Sequence, residues 1–399
     1  MTKSQIIIIG GGASGLMAAI SAARRDKQVL LIEKNNQLGR KILFTGNGRC
    51  NLTNINLSID KYYGENTKCL YSIFARFGAY DTIKFFEGLG VKLKVEKDGR
   101  VFPNTNKAET VLNALIKEIA RLGIKVKLNE RVLKISSFQN NWQVKTDKNV
   151  YQAKAVILTT GGKSYPQLGS NGDGYKMAQK LGHTIIELKP ALVPIELKDD
   201  WYQTLQGINM NVKLKIFEDK KVIAQQEGEM IFTHYGISGP LVLDLSRLID
   251  NKKRLVIDFL PHYNQLEDLR VFLKSHPKRT LINTLSLLIP KQVCIKTLQE
   301  SQIATDKQVS QLTKKEIIKI HEHLHNQLVA IKGLRSFHES MVTAGGVAID
   351  EIKTKTMESK LHKGLYFAGE ILDIDGVSGG YNLQFAWSSG YIAGLSEKI

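Results

Sequence analysis

The sequence predicts an α/β protein in which a discontinuous Rossmann-like domain is interrupted by an antiparallel β insert with a nested helical module. Three observations support this prediction. A strand, a glycine-rich turn and a helix open the chain. A second strand with a glycine stop and a following helix stands at 363–394, near the other end. Between them, at 191–262, apolar and polar residues alternate with the period of an antiparallel sheet.

The composition indicates a folded chain without a membrane segment. The 399 residues are 43% hydrophobic, and no apolar run approaches the roughly 18 to 20 residues that a membrane helix needs. The apolar run near the N-terminus is too short for a signal peptide. The three cysteines are scattered, with no metal-like or redox-pair spacing. We therefore expect a reduced, cytoplasmic protein with no membrane partner.

The net charge of +18 is the unusual global property. A basic surface concentrates anions, whether small substrates, phosphates, nucleic acid or lipid headgroups. The same charge is also found in cytosolic proteins of lysine-rich proteomes, and we favour this simpler interpretation. The charge therefore does not select a partner by itself.

The N-terminal βαβ unit has the pattern of a dinucleotide-binding site. A buried parallel strand from Gln5 to Ile9 leads into Gly10-Gly11-Gly12-Ala13-Ser14-Gly15, which matches G-x-G-x-x-G. After an alanine-rich helix, a second strand from Val29 to Ile32 ends in Glu33. In such units glycines let the backbone approach a pyrophosphate, the helix N-terminus supplies amide donors, and the acid binds ribose hydroxyls. This context predicts a bound dinucleotide rather than a tight turn without a ligand.

The dinucleotide is predicted to be FAD. Glu33 disfavours the 2′-phosphate of NADP. The segment 34–51 reads as a loop with repeated glycines and three cations, Arg40, Lys41 and Arg49. NAD has no use for such a loop directly after the second strand, whereas FAD is longer and needs backbone contact along its ribityl chain and flavin ring.

Two later segments supply further strand ends. One buried strand ends in Thr159-Thr160-Gly161-Gly162, and another ends in Gly369-Glu370 before a glycine-rich turn and a helix that begins near Asn382. An acid at a strand end can bind a ribityl hydroxyl. Backbone amides at the start of the following helix can meet the side of a flavin on which negative charge develops during reduction.

Five motifs, in order, resemble those of a known family. They are "IIIIGGGASGLMAA", "GRKILFTGNGRCNLTN", "TTGGKSYPQLGSNGDGY", "FTHYGISGP" and "KGLYFAGEILDIDGVSGGYNLQFAWSSG". The chain resembles the bacterial FAD-dependent oxidoreductases that include aminoacetone oxidase and bile-acid-type enone reductases. This resemblance covers nearly the whole chain. It implies non-covalently bound FAD in a glutathione-reductase-like domain with an insertion, and it does not imply a particular substrate.

The resemblance also implies the residues that contact FAD. It places the glycine-rich turn on the pyrophosphate, Glu33 on the adenosine ribose and the backbone of Val132 at the adenine edge. The 45–52 stretch runs along the flavin, and the two later strand ends close the site. The implied cofactor-binding residues are Gly10, Gly12, Ala13, Ser14, Gly15, Glu33, Lys34, Lys41, Thr45, Gly46, Gly48, Arg49, Cys50, Asn51, Leu52, Val132, Thr160, Gly161, Gly162, Gly369, Glu370, Asn382, Leu383 and Gln384.

Two side chains of the 45–52 stretch differ in the chemistry that we expect of them. Arg49 would supply fixed positive charge for phosphate, reduced flavin or substrate. Cys50 has no second cysteine at close spacing. We therefore expect it to be a small packing residue rather than a member of a redox pair.

The periodicity of the remaining chain sets the expected domain boundaries. Residues 1–190 are predicted to form the first part of the FAD-binding domain, and 191–262 the β insert. Residues 263–335 are predicted to be a basic and wholly helical module, and 336–399 to return to the FAD-binding domain, with 336–345 closing the β insert. Within the first part, 71–90 reads as amphipathic helix.

Three polar motifs lie outside the segments that are expected to contact FAD. His234 in "FTHYGISGP" is a candidate acid or base beside the flavin, with a hydrogen-bonding histidine at a strand end as the alternative, and Tyr165 is a weaker candidate. The stretch 321–325 matches H-E-x-x-H, but its helix uses its apolar positions for packing and no third ligand follows, so we expect no metal. The basic helical module lacks interleaved aromatic residues for base stacking, so a nucleic-acid partner is not expected.

Together these features predict an FAD-dependent oxidoreductase that transfers a hydride between a small organic substrate, an amine or an enone, and flavin N5. No second complete nicotinamide fingerprint is present. FAD is then either reduced by NAD(P)H, a transient electron donor, or reduced by the substrate and reoxidised by oxygen. Two alternatives stay open, an FAD-dependent RNA-modifying enzyme and a flavin-containing binding or regulatory protein without turnover.

Overall fold

The structure, a computed structural model, describes residues 2–139, 141–250 and 252–396. The chain divides into two compact units. We call Met1–Pro190 with Phe337–Ile399 the discontinuous unit, and Ala191–Ser336 the insert unit. Each unit has its own cluster of buried apolar side chains. No helix of the described residues is long and apolar enough to cross a membrane.

The strands are numbered in chain order. They are β1 Thr2–Ile9, β2 Val29–Ile32, β3 Thr53–Asn54, β4 Tyr62–Tyr63, β5 Leu93–Val95, β6 Arg100–Pro103, β7 Lys125–Lys127, β8 Val132–Phe138, β9 Asn141–Thr146, β10 Val150–Leu158, β11 Ile185–Ala191, β12 Ile195–Leu197, β13 Asn209–Glu218, β14 Lys221–Thr233, β15 Gly236–Ser238, β16 Lys253–Asp258, β17 Gln327–Val329, β18 Ile331–Leu334, β19 Val342–Val347, β20 Ile352–Lys353, β21 Glu358–Ser359, β22 Leu365–Phe367 and β23 Asp375–Gly376.

The α-helices are numbered in the same way. They are α1 Ala13–Ala23, α2 Arg40–Phe44, α3 Cys69–Arg76, α4 Ala79–Gly88, α5 Ala108–Arg121, α6 Asp173–Lys180, α7 Pro240–Leu245, α8 Leu266–Lys274, α9 Leu281–Leu285, α10 Lys291–Ser301, α11 Lys314–His325 and α12 Tyr381–Gly394.

The main sheet of the discontinuous unit has the order β20-β21-β22-β10-β1-β2-β7, and the β8–β9 hairpin pairs with it through β10. The five strands from β22 to β7 run parallel. Residues 6–8 of β1 are completely buried, which explains why this strand reads as an unbroken apolar run. The register sets Ile9 beside both Ile32 and Leu158, and Leu158 beside Phe367. Four strands therefore end at one edge of the sheet, where open α/β sheets bind ligands.

The insert unit is built on a seven-stranded sheet of order β17-β16-β13-β14-β15-β12-β18. Its strand pairs are antiparallel. Helices α8 to α11 lie within 263–325, but the expectation of a wholly helical 263–335 is wrong for its last residues. Residues 327–334 form β17 and β18, because these short apolar segments pair with β16 and β12 at the two ends of the sheet.

Two further local expectations need correction. Within 336–345, Val342 begins β19, which pairs with β11 rather than with the insert sheet. Gly345 makes this pairing possible, because a Cβ there would lie 2.2 Å from the carbonyl oxygen of Glu187.

The expected helix at 71–90 is two helices, α3 and α4. Gly78 separates them, and its N–H is bound by Asp81 Oδ2 at 2.8 Å, which starts α4.

Candidate functional site

The glycine-rich turn between β1 and α1 contains glycines of two kinds. Gly10 has a φ of +107°, and a Cβ there would lie 2.5 Å from the carbonyl oxygen of Thr159. A Cβ at Gly15 would lie 1.9 Å from the carbonyl oxygen of Gly10. Gly12 caps α1, and a Cβ there would meet no described atom within 4 Å. The first two glycines are therefore required by the fold, whereas Gly12 leaves the helix N-terminus accessible to a ligand.

Glu33 lies at the carboxyl end of β2 and is 8% exposed. Its Oε2 accepts a hydrogen bond from the N–H of Gly11 at 2.7 Å, and its Oε1 accepts two from Asn35 at 2.7 and 2.8 Å. Each carboxylate oxygen has two acceptor positions, so Oε2 retains capacity for a ribose hydroxyl. The backbone N–H of Glu130 donates to the carbonyl of Glu33 at 3.1 Å. This contact brings Val132, the first residue of β8, to the same edge.

The side chain of Lys34 is engaged within the protein. Its Nζ donates to Asn171 Oδ1 at 2.7 Å and to Asp173 Oδ2 at 3.0 Å. Asp173 also accepts a hydrogen bond from Arg131 at 2.8 Å. Lys34 is therefore expected to meet a ligand through its backbone rather than its charge.

Four residues of the 45–52 stretch have a left-handed backbone conformation. Gly46, Asn47, Gly48 and Cys50 have φ values of 57°, 55°, 78° and 60°. The N–H of Leu52 then donates to Val101 at 2.9 Å, and its carbonyl accepts from Trp387 Nε1 at 3.0 Å. These two hydrogen bonds hold the end of the stretch in place. Its turns offer backbone groups rather than side chains to a ligand.

Arg49 and Cys50 occupy different surroundings. The guanidinium of Arg49 stacks over the ring of Phe102 at 3.8 Å from its centroid, forms an ion pair with Glu96 and donates to Asn106 at 3.1 Å. Its charge is therefore partly neutralised within the β5–β6 hairpin region. Cys50 is fully buried, and burial raises the pKa of its thiol to about 12. The thiol stays protonated at neutral pH, as a packing residue would.

A hydrogen-bonded cluster joins α2 to the last strands of the main sheet. Lys41 Nζ lies 2.7 Å from Glu370 Oε2 and donates to Ser164 Oγ at 2.7 Å. Glu370 Oε1 accepts from Ser164 Oγ at 2.7 Å and from the N–H of Thr343 at 2.8 Å. A Cβ at Gly162 would lie 2.4 Å from Thr343 Oγ1 and 2.7 Å from Glu370 Oε1. Glycine at 162 therefore allows this cluster to form.

Two residues that are expected to contact FAD each have a buried side-chain oxygen. Within the described part of the chain, Asn51 Oδ1 and Thr160 Oγ1 have no hydrogen-bond partner. A buried polar atom without a partner costs about 1–3 kcal/mol. Both positions therefore favour a ligand with hydrogen-bond donors, a requirement that the hydroxyl groups and flavin N–H of FAD meet.

The segment after β22 approaches the glycine-rich turn. Gly369 has a φ of +80°, and a Cβ there would lie 2.4 Å from Ser14 Oγ. Its N–H donates to Ser389 Oγ of α12 at 2.9 Å. Gly380, the cap of α12, has a φ of +103°, and a Cβ there would lie 2.6 Å from the carbonyl oxygen of Thr53. The turn, the 45–52 stretch and the start of α12 are therefore close neighbours.

The start of α12 presents its backbone rather than its side chains. Asn382 accepts from the N–H of Gly376 at 2.8 Å and donates to its carbonyl at 2.7 Å. The fully buried Gln384 accepts from Thr53 Oγ1 at 2.5 Å and Thr82 Oγ1 at 2.9 Å. Amides of the first helical turn have no acceptor within the helix. Asn382 and Leu383 thus offer amide donors at the positive end of α12.

The expected cofactor-binding residues all lie in the discontinuous unit, whereas His234 belongs to the insert unit. His234 is an exposed residue of the insert unit, directly after β14, with its ring edge-on to Tyr235 at 4.7 Å. Tyr165 belongs to the discontinuous unit, where Lys41 Nζ lies 6.0 Å from its ring centroid. Burial raises the pKa of Tyr165, so its phenol stays protonated and able to donate a hydrogen bond.

Ser164, Thr343 and Gly380 were not among the residues expected from the sequence. Ser164 and Thr343 complete the hydrogen bonds of Glu370. Ser164 comes two residues after Gly162, the last glycine of the strand end at 159–162, which is a weak signal for it. Thr343 has no such signal, because only the return of β19 to this unit brings it there.

Comparisons with known proteins identify a family and several full-length relatives. Residues 4–396 match the model of the HI0933-like protein Rossmann domain. The chain is 36% identical to the 3-dehydro-bile acid delta(4,6)-reductase of Clostridium scindens, over 98% of both chains. It is 33% identical to the ribosomal RNA dihydrouridine synthase of Haemophilus influenzae, again over 98% of both chains. The Escherichia coli protein of that name is 31% identical, over 98% of this chain and 97% of the other.

Solved structures support the fold at lower identity. A variant of the quinol fumarate reductase of E. coli aligns with a TM-score of 0.50 and 15% identity. The alignment covers 99% of this chain and 70% of the other. This likeness concerns the fold alone.

Proposed function

The chain belongs to the HI0933-like Rossmann-domain family, and we propose that it is an FAD-dependent oxidoreductase that reduces a carbon–carbon double bond conjugated with a carbonyl group in a small organic substrate. The C. scindens reductase is similar to this chain over 98% of both chains, and its name supports this substrate class. A 3-oxo group next to delta-4 and delta-6 double bonds is a conjugated enone. The proposal thus selects the enone rather than the amine among the expected substrates.

The cofactor assignment rests on one observation. Several backbone segments of the discontinuous unit lie close together and leave room for a ligand. Gly12 leaves the N-terminus of α1 free of side-chain atoms, and Gly369 allows the strand end after β22 to approach Ser14. The glycine-rich turn would hold the pyrophosphate and Glu33 the adenosine ribose. Asn51 and Thr160 would find hydrogen-bond donors on the cofactor. When bound, FAD supplies hydride exchange at its N5 atom.

The protein's part is then orientation and electrostatics. The amides of Asn382 and Leu383 at the start of α12 would stabilise negative charge on the pyrimidine end of the reduced ring. Lys41 would contribute positive charge near the ribityl chain, held by Glu370 and Ser164 at 2.7 Å each. The buried network around Gln384 fixes the direction of α12.

Reduction of an enone also needs a proton for the carbon next to the carbonyl. His234 is the proposed acid, because an imidazole ring can hold a proton and pass it to a substrate in general acid catalysis. Tyr165 is the second candidate, since burial keeps its phenol protonated. Either group would hold a proton and release it to the substrate after hydride transfer.

The test of this function is an anaerobic visible spectrum of the purified protein, followed by addition of NADPH or NADH and then of a steroid enone. We expect flavin absorbance that the nicotinamide bleaches and the enone restores. Absence of flavin bands would contradict the cofactor. If nicotinamide leaves the bands unchanged and an amine bleaches them instead, the protein is an oxidase that uses oxygen.

A second candidate is reduction of uridine in RNA. Two relatives, at 33% and 31% identity over 98% of this chain, carry the name ribosomal RNA dihydrouridine synthase, and the net charge of +18 suits a polyanion. The double bond of uracil is also conjugated with a carbonyl, so the reaction class is the same. Salt-sensitive binding of a ribosomal RNA fragment, with loss of its uridine in the presence of NADPH, would favour this substrate over the steroid enone.

A further inference from the structure

One histidine of the discontinuous unit lies at the centre of a buried chain of hydrogen bonds. His183 stands between α6 and β11, and its side chain is completely buried. Its Nδ1 lies 2.7 Å from Oε2 of Glu351, and its Nε2 lies 2.9 Å from Oγ of Ser359. Glu351 ends the 3₁₀ helix Ile349–Glu351, and Ser359 ends β21. The ring therefore joins three separate segments of the chain.

The hydrogen bonds around Ser359 determine which ring nitrogen carries the proton. Ser359 Oγ accepts from the backbone N–H groups of Leu361 and His362, at 3.0 Å each. A hydroxyl oxygen has two acceptor positions, and both are used. Its hydrogen is therefore donated to Nε2 of His183, and the ring proton lies on Nδ1, which donates to the Glu351 carboxylate. This arrangement requires a neutral imidazole.

The order serine, histidine, carboxylate is also that of a catalytic triad, but this serine is not suited to catalysis. Ser359 is 1% exposed. Because its oxygen already accepts two backbone N–H groups, no lone pair is free to attack a substrate. The cluster is therefore an element that holds the protein's own segments together rather than a hydrolytic site.

A proton on Nε2 of His183 would break this arrangement. The new N–H would point at an oxygen whose acceptor positions are filled, and the Ser359 hydroxyl would lose its own acceptor. Ser359 would then have to release at least one of the two N–H groups that fix the turn after β21. Burial acts in the same direction, because it lowers the pKa of His183 and outweighs the opposite effect of the Glu351 carboxylate. The folded protein therefore favours the neutral ring.

Two titratable groups interact with the charge of this ring. Glu351 favours a protonated His183, whereas His362, whose ring centroid is 6.1 Å away, disfavours one. Nε2 of His362 is itself 2.6 Å from the carbonyl oxygen of Leu181. A third neighbour, Phe367, carries no charge and meets the His183 ring edge-on with centroids 4.8 Å apart. The protonation of His183 is therefore set mainly by burial and by Glu351.

The loop between α6 and β11, which carries this histidine, contacts both strands that hold Glu370. Phe367, which packs on the imidazole, is the last residue of β22 and precedes Glu370 by three residues. The carbonyl of Thr184 in the loop accepts from the N–H of Ala348 at 3.0 Å. Ala348 directly follows β19, whose Thr343 donates its N–H to Glu370. A movement of the loop can therefore reach Glu370 through β22 and through β19.

We propose that His183 is an acid-sensitive switch of FAD binding. The neutral ring holds the loop, the turn after β21 and the ends of β19 and β22 in the arrangement that positions Glu370, and protonation of the ring lowers FAD affinity. This inference rests on the proposed function, because it takes Glu370 as a residue of the FAD site. An imidazole released from the cluster takes up its proton near pH 6.5, whereas the FAD-bound form excludes that proton. Affinity should therefore be nearly constant above this pH and fall as the pH drops below it.

The experiment titrates the apoprotein with FAD between about pH 7.5 and 5.5 and follows flavin fluorescence. One linked proton changes the dissociation constant by at most about tenfold per pH unit. We expect the Kd of the wild type to rise by about tenfold across this range. In His183→Gln it should change by less than about twofold, because the amide oxygen can still accept from Ser359 but takes up no proton.

His262→Gln is the matched control. This histidine also faces a carboxylate, that of Glu227 at 3.3 Å, but its side chain is 74% exposed and lies in the insert unit. The variant should keep the pH dependence of the wild type. Glu351→Gln is a second variant of the cluster, at a side chain that is only partly buried. Since it removes the group that favours the protonated ring, the loss of FAD affinity should move to lower pH.

Hydrogen exchange on the apoprotein tests the switch without FAD. The amides of Leu361 and His362, which donate to Ser359, should be protected at neutral pH. After correction for the intrinsic pH dependence of exchange, they should exchange faster near pH 5.5 in the wild type and in His262→Gln. In His183→Gln their protection should be the same at both pH values.

Two results would overturn the proposal. One is a wild type whose FAD affinity is the same across this pH range, and the other is a pH dependence that His183→Gln retains in full. Both results leave the cofactor assignment intact. A wild type that binds no FAD even at neutral pH would refute the cofactor assignment and this proposal together.

Discussion

Lys41 Nζ and Glu370 Oε2 are 2.7 Å apart although 329 residues separate them in the chain. Lys41 lies in α2, the first helix after β2, whereas Glu370 follows β22 near the other end of the chain. Both side chains are half-buried, with exposed fractions of 25% and 19%. The pair therefore joins the two halves of the discontinuous unit at the edge where we place FAD.

The first prediction concerns this pair. Glu370→Gln removes the charge that holds Lys41 and weakens the hydrogen bonds from Ser164 and Thr343. A charge-assisted hydrogen bond contributes about 1.5–3 kcal/mol, so FAD affinity should fall by about tenfold to a hundredfold. The change is measured by titrating apoprotein with FAD and following flavin fluorescence.

Glu187→Gln is the control for that measurement. Glu187 forms an ion pair with Lys189 at 2.9 Å in the same unit, but its side chain is 78% exposed. It should bind FAD as the wild type does, because exposed ion pairs contribute little. Equal affinity in Glu370→Gln and Glu187→Gln would refute a role for Glu370 in holding the cofactor.

The second prediction separates two glycines of the same turn. A Cβ at Gly12 meets no described atom within 4 Å and suits the φ of −82° found there. Gly12→Ala should therefore fold with a melting temperature close to that of the wild type, measured on the apoprotein. Its FAD content should fall by at least about tenfold, because the methyl group occupies the approach of the pyrophosphate.

Gly15→Ala should behave in the opposite way. Its Cβ would lie 1.9 Å from the carbonyl oxygen of Gly10, so α1 must move away from β1. Such overpacking costs about 1–3 kcal/mol or more, and the apoprotein should be destabilised in urea. If Gly12→Ala lost as much stability as Gly15→Ala, the distinction between a ligand-facing and a packing glycine would be wrong.

The third prediction concerns the cysteines. Burial raises the pKa of Cys50 to about 12 and that of Cys294 to about 11, whereas an unfolded thiol titrates near 8.5. Above that pH the unfolded chain loses protons that the folded chain keeps. The free energy of unfolding should therefore fall as the pH rises from about 9 toward 11.

Urea denaturation between pH 7 and 10.5 measures this slope, and Cys294→Ala should flatten it. At pH 8 a thiol reagent should label almost none of the buried Cys50 and Cys294 in the native protein and both of them in urea. Rapid labelling of Cys50 in the native state would instead indicate an accessible, reactive thiol.

The fourth prediction tests His234 as an acid. His234→Asn should keep its FAD spectrum and its reduction by nicotinamide, while reoxidation by an enone slows by about a hundredfold. Tyr165→Phe is the parallel variant for the second candidate. Stopped-flow traces of the two half-reactions distinguish them. Unchanged reoxidation in His234→Asn would remove this histidine from the mechanism and leave Tyr165 as the proton donor.

The sequence predicted those parts of the fold that depend on local pattern. The apolar run of β1, the glycine-rich turn and the acid after β2 lie within about thirty residues, and their roles follow from short-range rules. The insert pattern at 191–262 was likewise visible in its alternation. The single helix expected at 71–90 was wrong, because the Gly78–Asp81 capping interaction starts a new helix there.

Other features depend on contacts that no local pattern contains. The strands at 327–334 follow a long helical region, and only their pairing with β16 and β12 makes them part of a sheet. Thr343 reaches Glu370 because β19 returns to the discontinuous unit. The H-E-x-x-H motif indicated a helix with two histidines, but Asp258, which lies 2.8 Å from Nδ1 of His325, comes from β16 and not from the motif.

The sequence by itself determined the family, the Rossmann-like unit with its insertion and the stretches of backbone on which a dinucleotide would lie. These features are set by glycine conformations, strand periodicity and motif order, which act over short distances. Only the tertiary structure decided that Lys41 meets Glu370, that Arg49 is engaged by Glu96, and that His325 meets Asp258. Such contacts depend on how strands end and helices pack, since these bring together side chains that are hundreds of residues apart.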